Sequence, residues 1–247
     1  ISSFMKIAII GCGWLGKRLA KHLSSRNHYV IATTTSPEKI AMLKEAAHEV
    51  HVLDFSKEFD AGFLQDADIA IFSMSISRDL WHKGFQKFNV TFKKTLFFSS
   101  TGIYPQLNGI YTEHHTANLR ADILASEELV TTKFPETIIL RFGGLMGDER
   151  SLQNFYANRF PPLPEKKVNY IHYGDIAAMV EILLTAENKN SIYNIVAPEH
   201  PTVLEVLNAD QEASKPSSNE DGDRIISPEL FIKEFNYKFI HPNPKYF

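Results

Sequence analysis

The fold is decided near the start of the chain, by Lys6-Ile7-Ala8-Ile9-Ile10-Gly11-Cys12-Gly13-Trp14-Leu15-Gly16-Lys17. A short apolar run predicts a buried strand, and it breaks into a G-x-G-x-x-G pattern. Leu15, Leu19 and Leu23 then recur at the spacing of an amphipathic helix. Strand, glycine loop and helix follow one another in the order that a nucleotide-binding loop requires. The alternative interpretation is an ordinary tight turn.

The three glycines have separate predicted tasks. Gly11 allows the sharp turn after the strand, Gly13 leaves room for a diphosphate at the backbone, and Gly16 lets the helix pack closely. The helix start at Trp14 and Leu15 offers free N–H groups and a positive dipole end to that diphosphate. We therefore expect these five residues to form the cofactor-binding loop.

Nearby residues narrow the class of nucleotide. The loop almost spells a P-loop, but Arg18 stands where a Ser or Thr must ligate magnesium. A methyltransferase would show a further glycine and an acidic end to the strand, where Leu15 and Ile10 stand instead. A dinucleotide fits best.

The tip of the second predicted strand should distinguish NAD from NADP. An acidic residue there would bind the ribose 2′-OH of NAD, but Thr34, Thr35, Ser36 and Lys39 offer hydroxyls and one cation. We therefore expect NADP as the preferred cofactor and NAD as the alternative. Ser36 as a helix cap with a solvated Lys39 is also adequate. Asp54 ends the third predicted strand and is placed to meet the adenine or its ribose, and the next residue, Phe55, is also expected to bind the cofactor.

Composition excludes several classes of partner. The 247-residue chain has a net charge of −3 and a pI near 6.4, which predicts no nucleic-acid partner and no binding to an anionic membrane. No apolar run approaches the length of a membrane span, and the first residues lack the features of a signal peptide. The lone Cys12 fits a cytoplasmic location, and the histidines lack metal-ligand spacing.

Short β-rich runs alternate with helical patterns through most of the chain, which predicts an α/β fold with a doubly wound parallel sheet. Residues 1–142 with 172–196 are expected to form the core, and 143–171 with 197–247 a small substrate-side lobe, in which 209–223 is polar and exposed. One aromatic stripe (Trp81, Phe85, Phe88, Phe92) has helical spacing and predicts core packing. The predicted strands are Ile7–Ile10, Tyr29–Thr34, Val50–Asp54, Ile69–Ser73, Thr95–Ser99, Thr137–Phe142 and Ile192–Val196.

Three later segments carry a family resemblance. Leu96–Tyr104, Ile139–Gly147 and Asn169–Ala177 resemble the S-S-x-x-V-Y, L-R-x-x-x-x-Y-G and N-x-I-H-V-x-D-V-A signatures of extended short-chain dehydrogenases/reductases, with Met146 in place of a Tyr. With the glycine loop, the resemblance to the NAD(P)-dependent epimerase/dehydratase family covers nearly the whole chain in order. It implies a Rossmann-type fold and a homodimer through a helix near 117–133.

The resemblance also implies site residues. Ser100 takes the place of the catalytic hydroxyl that binds the substrate carbonyl or alcohol. Phe142 and Gly143 would lie near the nicotinamide, and Ser73-Met74-Ser75 would line the diphosphate and ribose edge. Ser99 is also expected to bind the cofactor. Each has a structural alternative. Ser99 and Ser100 would merely end a strand. His172 and Asp175 would hold a loop in place and cap a helix, and we favour this structural role for that pair.

The family's Tyr-x-x-x-Lys dyad is missing, because Leu119 and Ile123 occupy its two positions and neither can transfer a proton. Tyr104, Tyr111 and His172 are the candidates to replace it, although Tyr111 also suits a surface loop. The chain thus resembles an atypical branch of the family.

Two functions follow. The favoured one is an NAD(P)-dependent reductase, epimerase or dehydratase that acts on a small molecule such as a sugar nucleotide or a carbonyl compound. The alternative is a non-catalytic NADP-binding sensor or regulator. A β-hydroxyacid-type dehydrogenase would need a long helical C-terminal domain, for which the chain is too short.

Overall fold

The computed structural model describes residues 4–208 and 222–247. Residues 209–221, most of the segment predicted to be polar and exposed, lie outside the described residues. The chain folds into two compact units. The first comprises residues 1–100, 121–140 and 179–191, and the second comprises 101–120, 141–178 and 192–247.

The central sheet has seven strands in the order β10-β7-β5-β4-β1-β2-β3. From β1 the chain winds outward in one direction through β2 and β3 and in the other through β4 and β5, which is the doubly wound order. The predicted Rossmann-type α/β fold is therefore confirmed. The sheet strands are β1 (Lys6–Ile10), β2 (Tyr29–Thr34), β3 (Glu49–Val52), β4 (Ile69–Phe72), β5 (Lys94–Ser100), β7 (Ile138–Phe142) and β10 (Ile192–Ile195).

Four more strands form two small parallel pairs in the second unit. They are β6 (Gly109–Tyr111), β8 (Gly144–Met146), β9 (Tyr170–His172) and β11 (Arg224–Ile226), paired as β6 with β11 and β8 with β9. Each has three residues, too few for an alternating pattern, so the sequence did not predict them.

The helices pack around these strands. Predicted amphipathic helices are present as α1 and α4, and α4 begins at Ala121, later than the predicted Ala117. In the described residues the helices are α1 (Trp14–Ser25), α2 (Ile40–Leu43), α3 (His82–Phe85), α4 (Ala121–Lys133), α5 (Leu152–Phe155), α6 (Tyr173–Thr185), α7 (Val203–Leu207) and α8 (Glu229–Phe235).

The aromatic stripe packs in the core of the first unit, as predicted. Phe85 and Phe88 are fully buried, and both rings contact Phe55, Phe72 and Phe134. The helix that carries the stripe ends at Phe85, so the residues after it reach the cluster through turns. The spacing correctly predicted that Trp81, Phe85 and Phe88 are buried, while Phe92 is half-buried. The single long helix that the spacing implied is wrong.

The second unit has its own buried core, which centres on β10, α8 and the two short strand pairs. Phe231 on α8 is fully buried and packs on Tyr193, Phe235 and Tyr237. Residues 101–120 and 192–196 belong to this unit. The substrate-side role of the predicted lobe stays a prediction.

Candidate functional site

A pocket of about 330 Å³ lies in the first unit, where β1, β2, β3 and β4 end. In doubly wound sheets, ligands bind at the carboxyl ends of the strands where the strand order reverses. We call this the strand-end pocket. Its lining residues are Ile10, Gly11, Cys12, Gly13, Thr34, Thr35, Lys39, Leu53, Asp54, Phe55, Ser56, Ser73, Met74, Ser75, Arg78, Leu80 and Trp81.

The glycine loop has the geometry that its sequence implies. Gly11 has φ +92°, and a Cβ there would lie 2.8 Å from the carbonyl oxygen of Ser73. A Cβ on Gly13 would meet no described atom within 4 Å, so it would point into open space. A Cβ on Gly16 would lie 3.1 Å from Cys12 Sγ, because the helix packs closely there. The sharp turn is therefore at Gly11, the open approach is at Gly13 and the close helix packing is at Gly16, as the sequence predicts.

The loop is tied to the neighbouring strand β2. The Gly11 amide donates to Thr33 Oγ1 at 3.0 Å, and the Cys12 amide donates to the Thr33 carbonyl at 2.8 Å. Burial raises the pKa of the Cys12 thiol to about 12, so the thiol stays protonated and unreactive. Trp14, Leu15 and Gly16 are not among the described residues that line the pocket.

The end of β2 contributes hydroxyls and a cation. Thr34 is buried, and its Oγ1 accepts a hydrogen bond from the Ser36 amide at 3.1 Å. Thr35 and Lys39 are exposed and line the pocket, whereas Ser36 is not among the described lining residues. Ser36 takes the N-cap position of a short 3₁₀ helix, Pro37–Lys39, without a side-chain capping bond within the described residues.

Asp54 lines the pocket beyond the end of β3. Its Oδ1 accepts hydrogen bonds from the Ser56 amide at 2.9 Å and the Ser56 hydroxyl at 2.6 Å. The bond from the Ser56 hydroxyl is the main reason that the pKa of Asp54 is lowered, so the group is a carboxylate near neutral pH. Phe55 is buried beside it in the aromatic core.

The loop after β4 supplies lining residues that the sequence did not single out. Besides the predicted Ser73, Met74 and Ser75, it brings Arg78 and Trp81 to the pocket. The sequence did carry one signal for Arg78 as a pocket residue. It lies in the loop after a predicted strand, and that strand ends at the same edge of the sheet as the glycine loop.

Ser99 and Ser100 end β5. Ser99 is buried, and its hydroxyl donates to the Glu127 carboxylate at 2.5 Å. Ser100 is half-buried. The structure therefore gives Ser99 a structural contact, while the predicted catalytic role of Ser100 stays a prediction.

Tyr104 belongs to a buried polar network of the second unit. It is 1% exposed, donates to Asn194 Oδ1 at 2.7 Å and accepts from Arg141 Nη1 at 3.0 Å. Burial raises the pKa of Tyr104, and the nearby Arg141 acts against that increase. Tyr111 is also buried, and its hydroxyl donates to the Leu107 carbonyl at 2.8 Å. Both candidate tyrosines therefore have structural partners.

His172 and Asp175 hold the last segment of the chain in the second unit. His172 Nδ1 accepts from the Gly174 amide at 3.0 Å, and its ring lies 3.8 Å from that of His241. Burial, and after it the neighbouring His241, lowers the pKa of His172. Asp175 is fully buried and accepts bonds from the Tyr237 hydroxyl and from the amides of Ile240 and His241. This geometry favours the structural interpretation of the pair.

Phe142 and Gly143, predicted to lie by the nicotinamide, are both buried in the second unit. The Phe142 carbonyl accepts from Thr101 Oγ1 at 3.2 Å. A Cβ on Gly143 would lie 2.4 Å from the Asn169 carbonyl oxygen, so this glycine is required by packing. Their contact with a cofactor stays a prediction.

Neither a metal centre nor a membrane-spanning helix is found among the described residues. No group of three or more His, Cys, Asp or Glu residues there could hold a metal ion. Likewise, none of the helices in those parts of the chain is long and apolar enough to cross a membrane.

The doubly wound sheet, the glycine loop and the strand-end pocket define a Rossmann-type domain. Residues 6–78 match a family model described as NADP oxidoreductase, coenzyme F420-dependent. The chain is 26% identical to Protein YeeZ of Escherichia coli (strain K12) over 266 residues, which cover 97% of each chain.

Solved structures share the fold over nearly the whole chain. A Methylobacillus flagellatus protein, provisionally assigned as an NAD-dependent epimerase/dehydratase, has a TM-score of 0.75 and 21% identity, with 97% of this chain and 94% of that one covered. UDP-N-acetylglucosamine 4-epimerase from Bacillus cereus has a TM-score of 0.70 and 18% identity, with 98% and 96% covered. The Bordetella bronchiseptica enzyme WbmG, solved with NAD, has a TM-score of 0.70 and 16% identity, with 96% and 89% covered. The predicted resemblance to the epimerase/dehydratase group is confirmed at the level of fold.

Proposed function

We propose that this protein is an atypical member of the NAD(P)-dependent epimerase/dehydratase family, an oxidoreductase that acts on a small sugar-nucleotide or carbonyl substrate. The observation that carries the proposal is the open space at Gly13. A side chain there would fill the approach to a loop that is otherwise closely packed at Gly11 and Gly16. This is the cradle that a diphosphate needs, so the residues present fit a dinucleotide.

The lining residues divide by the part of the cofactor that each would hold. The loop from Gly11 to Gly13 and the start of α1 would bind the diphosphate. Asp54 would meet the adenosine, while Thr35 and Lys39 would favour NADP by receiving a 2′-phosphate. When bound, the nicotinamide would accept or donate a hydride. Ser100 would orient the carbonyl or alcohol of the substrate.

Titration with NADPH and NADH tests the cofactor part of the proposal. We expect wild-type protein to bind NADPH more tightly than NADH, followed by the fluorescence of the reduced nicotinamide. Gly13→Val should abolish both signals while the protein stays folded by circular dichroism. Unchanged binding by the folded variant would contradict the placement of the diphosphate.

A turnover assay tests the reaction. We expect NADPH oxidation or substrate isomerisation with one member of a panel of sugar nucleotides, aldehydes and ketones. Ser100→Ala should reduce kcat while NADPH affinity stays the same, because Ser100 would touch substrate and not the adenosine half of the cofactor. Activity that survives Ser100→Ala unchanged would remove Ser100 from the mechanism.

One observation favours the alternative function, a non-catalytic NADP-binding sensor. Ile123, at the position of the family's lysine, is 1% exposed and belongs to the core of the first unit. A sensor must bind its partner differently in two states. We expect a sensor to capture a partner in an NADPH-dependent way, whereas equal capture with and without NADPH would exclude it.

The resemblance also leads us to propose a homodimer through α4. Leu124 and Leu129 on this helix are half-buried in the single chain and would be covered by a second copy. Light scattering coupled to size-exclusion chromatography measures the mass directly. A Leu124→Lys, Leu129→Lys variant should elute as a monomer.

A further inference from the structure

We propose that Arg78, in the loop after β4, acts with Lys39 to select NADP by binding its 2′-phosphate. The inference rests on the proposed function and adds a cation from a second strand end to Thr35 and Lys39, the residues that the sequence indicated. Lys39 reaches the strand-end pocket from beyond β2, and Arg78 reaches it from beyond β4. These two strands flank β1, so cations lie on both sides of the glycine loop.

The charge of the pocket favours an anion. Lys39 and Arg78 are its cations, and Asp54 is the only acidic side chain among the described lining residues. The Oδ1 atom of Asp54 already accepts two hydrogen bonds from Ser56. Asp54 forms no ion pair with Lys39 or Arg78 among the described residues, so both cations are open to a ligand.

Arg78 has no ion pair or hydrogen bond with any described residue, and its side chain is exposed. Two other cations of the first unit, by contrast, have partners. Lys93 lies 3.1 Å from Asp68, and Lys94 donates to the carbonyls of Leu183 and Ala186. A guanidinium that lines a pocket without a protein partner is available to an anionic ligand.

The loop that carries Arg78 is anchored at both ends. Trp81 is buried, and its indole N–H donates to the Ser75 carbonyl at 2.9 Å. This bond closes the short loop between Ser75 and Trp81. Arg78 is thereby held over the strand-end pocket.

Phosphate chemistry explains why an arginine would discriminate between the two cofactors. The planar guanidinium can donate two parallel hydrogen bonds to a phosphate dianion. NAD presents a hydroxyl at the same position, which lacks that charge. Removal of Arg78 should therefore weaken NADPH binding roughly 10- to 100-fold, the range of one charge-assisted contact, and leave NADH binding within about twofold.

The test compares 2′,5′-ADP with ADP by calorimetry, and NADPH with NADH by fluorescence, on wild type, Arg78→Gln and Lys21→Gln. Lys21 is an exposed residue of α1 outside the described pocket lining, so Lys21→Gln controls for the loss of one charge. We expect Arg78→Gln to lose affinity for 2′,5′-ADP and NADPH alone, and Arg78→Lys to recover part of it.

Equal losses for all four ligands would place Arg78 on the diphosphate and overturn the proposal, as would no loss at all. Wild-type protein that binds NADH and ADP but not 2′,5′-ADP would also overturn it, while cofactor binding under the proposed function would stand. Wild-type protein that binds neither dinucleotide would overturn both.

Discussion

The hydroxyl of Ser99 at the end of β5 donates to the carboxylate of Glu127 on α4 at 2.5 Å, with the two residues 5% and 3% exposed. This bond joins the strand that ends in Ser100 to α4. The helix therefore supplies a structural carboxylate to the end of β5.

Loss of this carboxylate should be costly. Glu127→Ala leaves the buried Ser99 hydroxyl without its acceptor and opens a cavity, so we expect about 2–4 kcal/mol less free energy of unfolding. Glu127→Gln keeps an acceptor and should cost roughly 1 kcal/mol. Urea unfolding measures both, and equal, small losses would show that the bond contributes little.

Substitutions at Gly11 and Gly13 should have different effects, on stability at Gly11 and on dinucleotide binding at Gly13. Gly11→Ala forces a side chain into positive φ against the Ser73 carbonyl, so we expect a loss of about 2–4 kcal/mol. Gly13→Ala points into open space, but the backbone at φ −104° and ψ −146° lies just outside the β region, so it should cost about 1 kcal/mol, less than Gly11→Ala. Its dinucleotide affinity should fall at least roughly tenfold. Thermal unfolding and NADPH titration on both variants check this, and a Gly13→Ala protein as destabilised as Gly11→Ala would contradict the open geometry.

Tyr104→Phe should lower the free energy of unfolding. It leaves Arg141 Nη1 and Asn194 Oδ1 without the buried hydroxyl that joins them, at a cost of about 1–3 kcal/mol. Tyr111→Phe is the matched control, because it removes one bond to the Leu107 carbonyl and should cost roughly 1 kcal/mol or less. Denaturant midpoints rank the two variants. A Tyr104→Phe protein of normal stability but without turnover would instead identify Tyr104 as catalytic.

His172 should make the fold sensitive to acid. Burial and His241 hold its pKa below the value of about 6.5 that it takes in the unfolded chain, while Asp175 and Asp148 act against them. The unfolded chain then binds the extra proton first as the pH falls. The contribution of His172 to stability is fully present above about pH 6.5 and is lost as the pH falls toward its lower pKa in the folded state.

The measurement is the melting temperature between pH 8 and pH 5. His172→Phe keeps an aromatic ring on His241 and removes the titration, so its profile should be flatter than that of wild type. Burial also lowers the pKa values of His82 and His200. Both residues are present in wild type and in His172→Phe, so their contribution to the acid sensitivity is the same in the two proteins. Parallel profiles would exclude His172 as a source of the acid sensitivity.

The sequence was most informative where burial is strongest. All seven strands of the central sheet were predicted. Six of them are mostly buried, and parallel strands buried on both faces read as largely apolar runs. The exception is the edge strand β3, which is not buried and was predicted as Val50–Asp54 where the structure has Glu49–Val52. The short strands β6, β8, β9 and β11 could not be predicted, since their pairing depends on interactions between distant segments.

The candidate site was likewise predicted only in part. The glycine loop was predicted because backbone conformation restricts the residue type at Gly11. Arg78 was missed because a polar residue in a loop carries no periodic signal. The partners of Tyr104 and Asp175 were missed for a different reason: Asn194 and Tyr237 lie far away in sequence, and only the folded chain brings these groups together.

The two hydrogen bonds that the glycine loop donates to Thr33 affect the thermodynamics of binding. Because the Gly11 and Cys12 amides are already held by β2, the backbone turn is ordered by folding itself. A ligand that enters the strand-end pocket meets a preorganised loop and loses little protein conformational entropy on binding. The association rate is then set by diffusion and by the ordering of the flexible dinucleotide, without a loop rearrangement as the slow step.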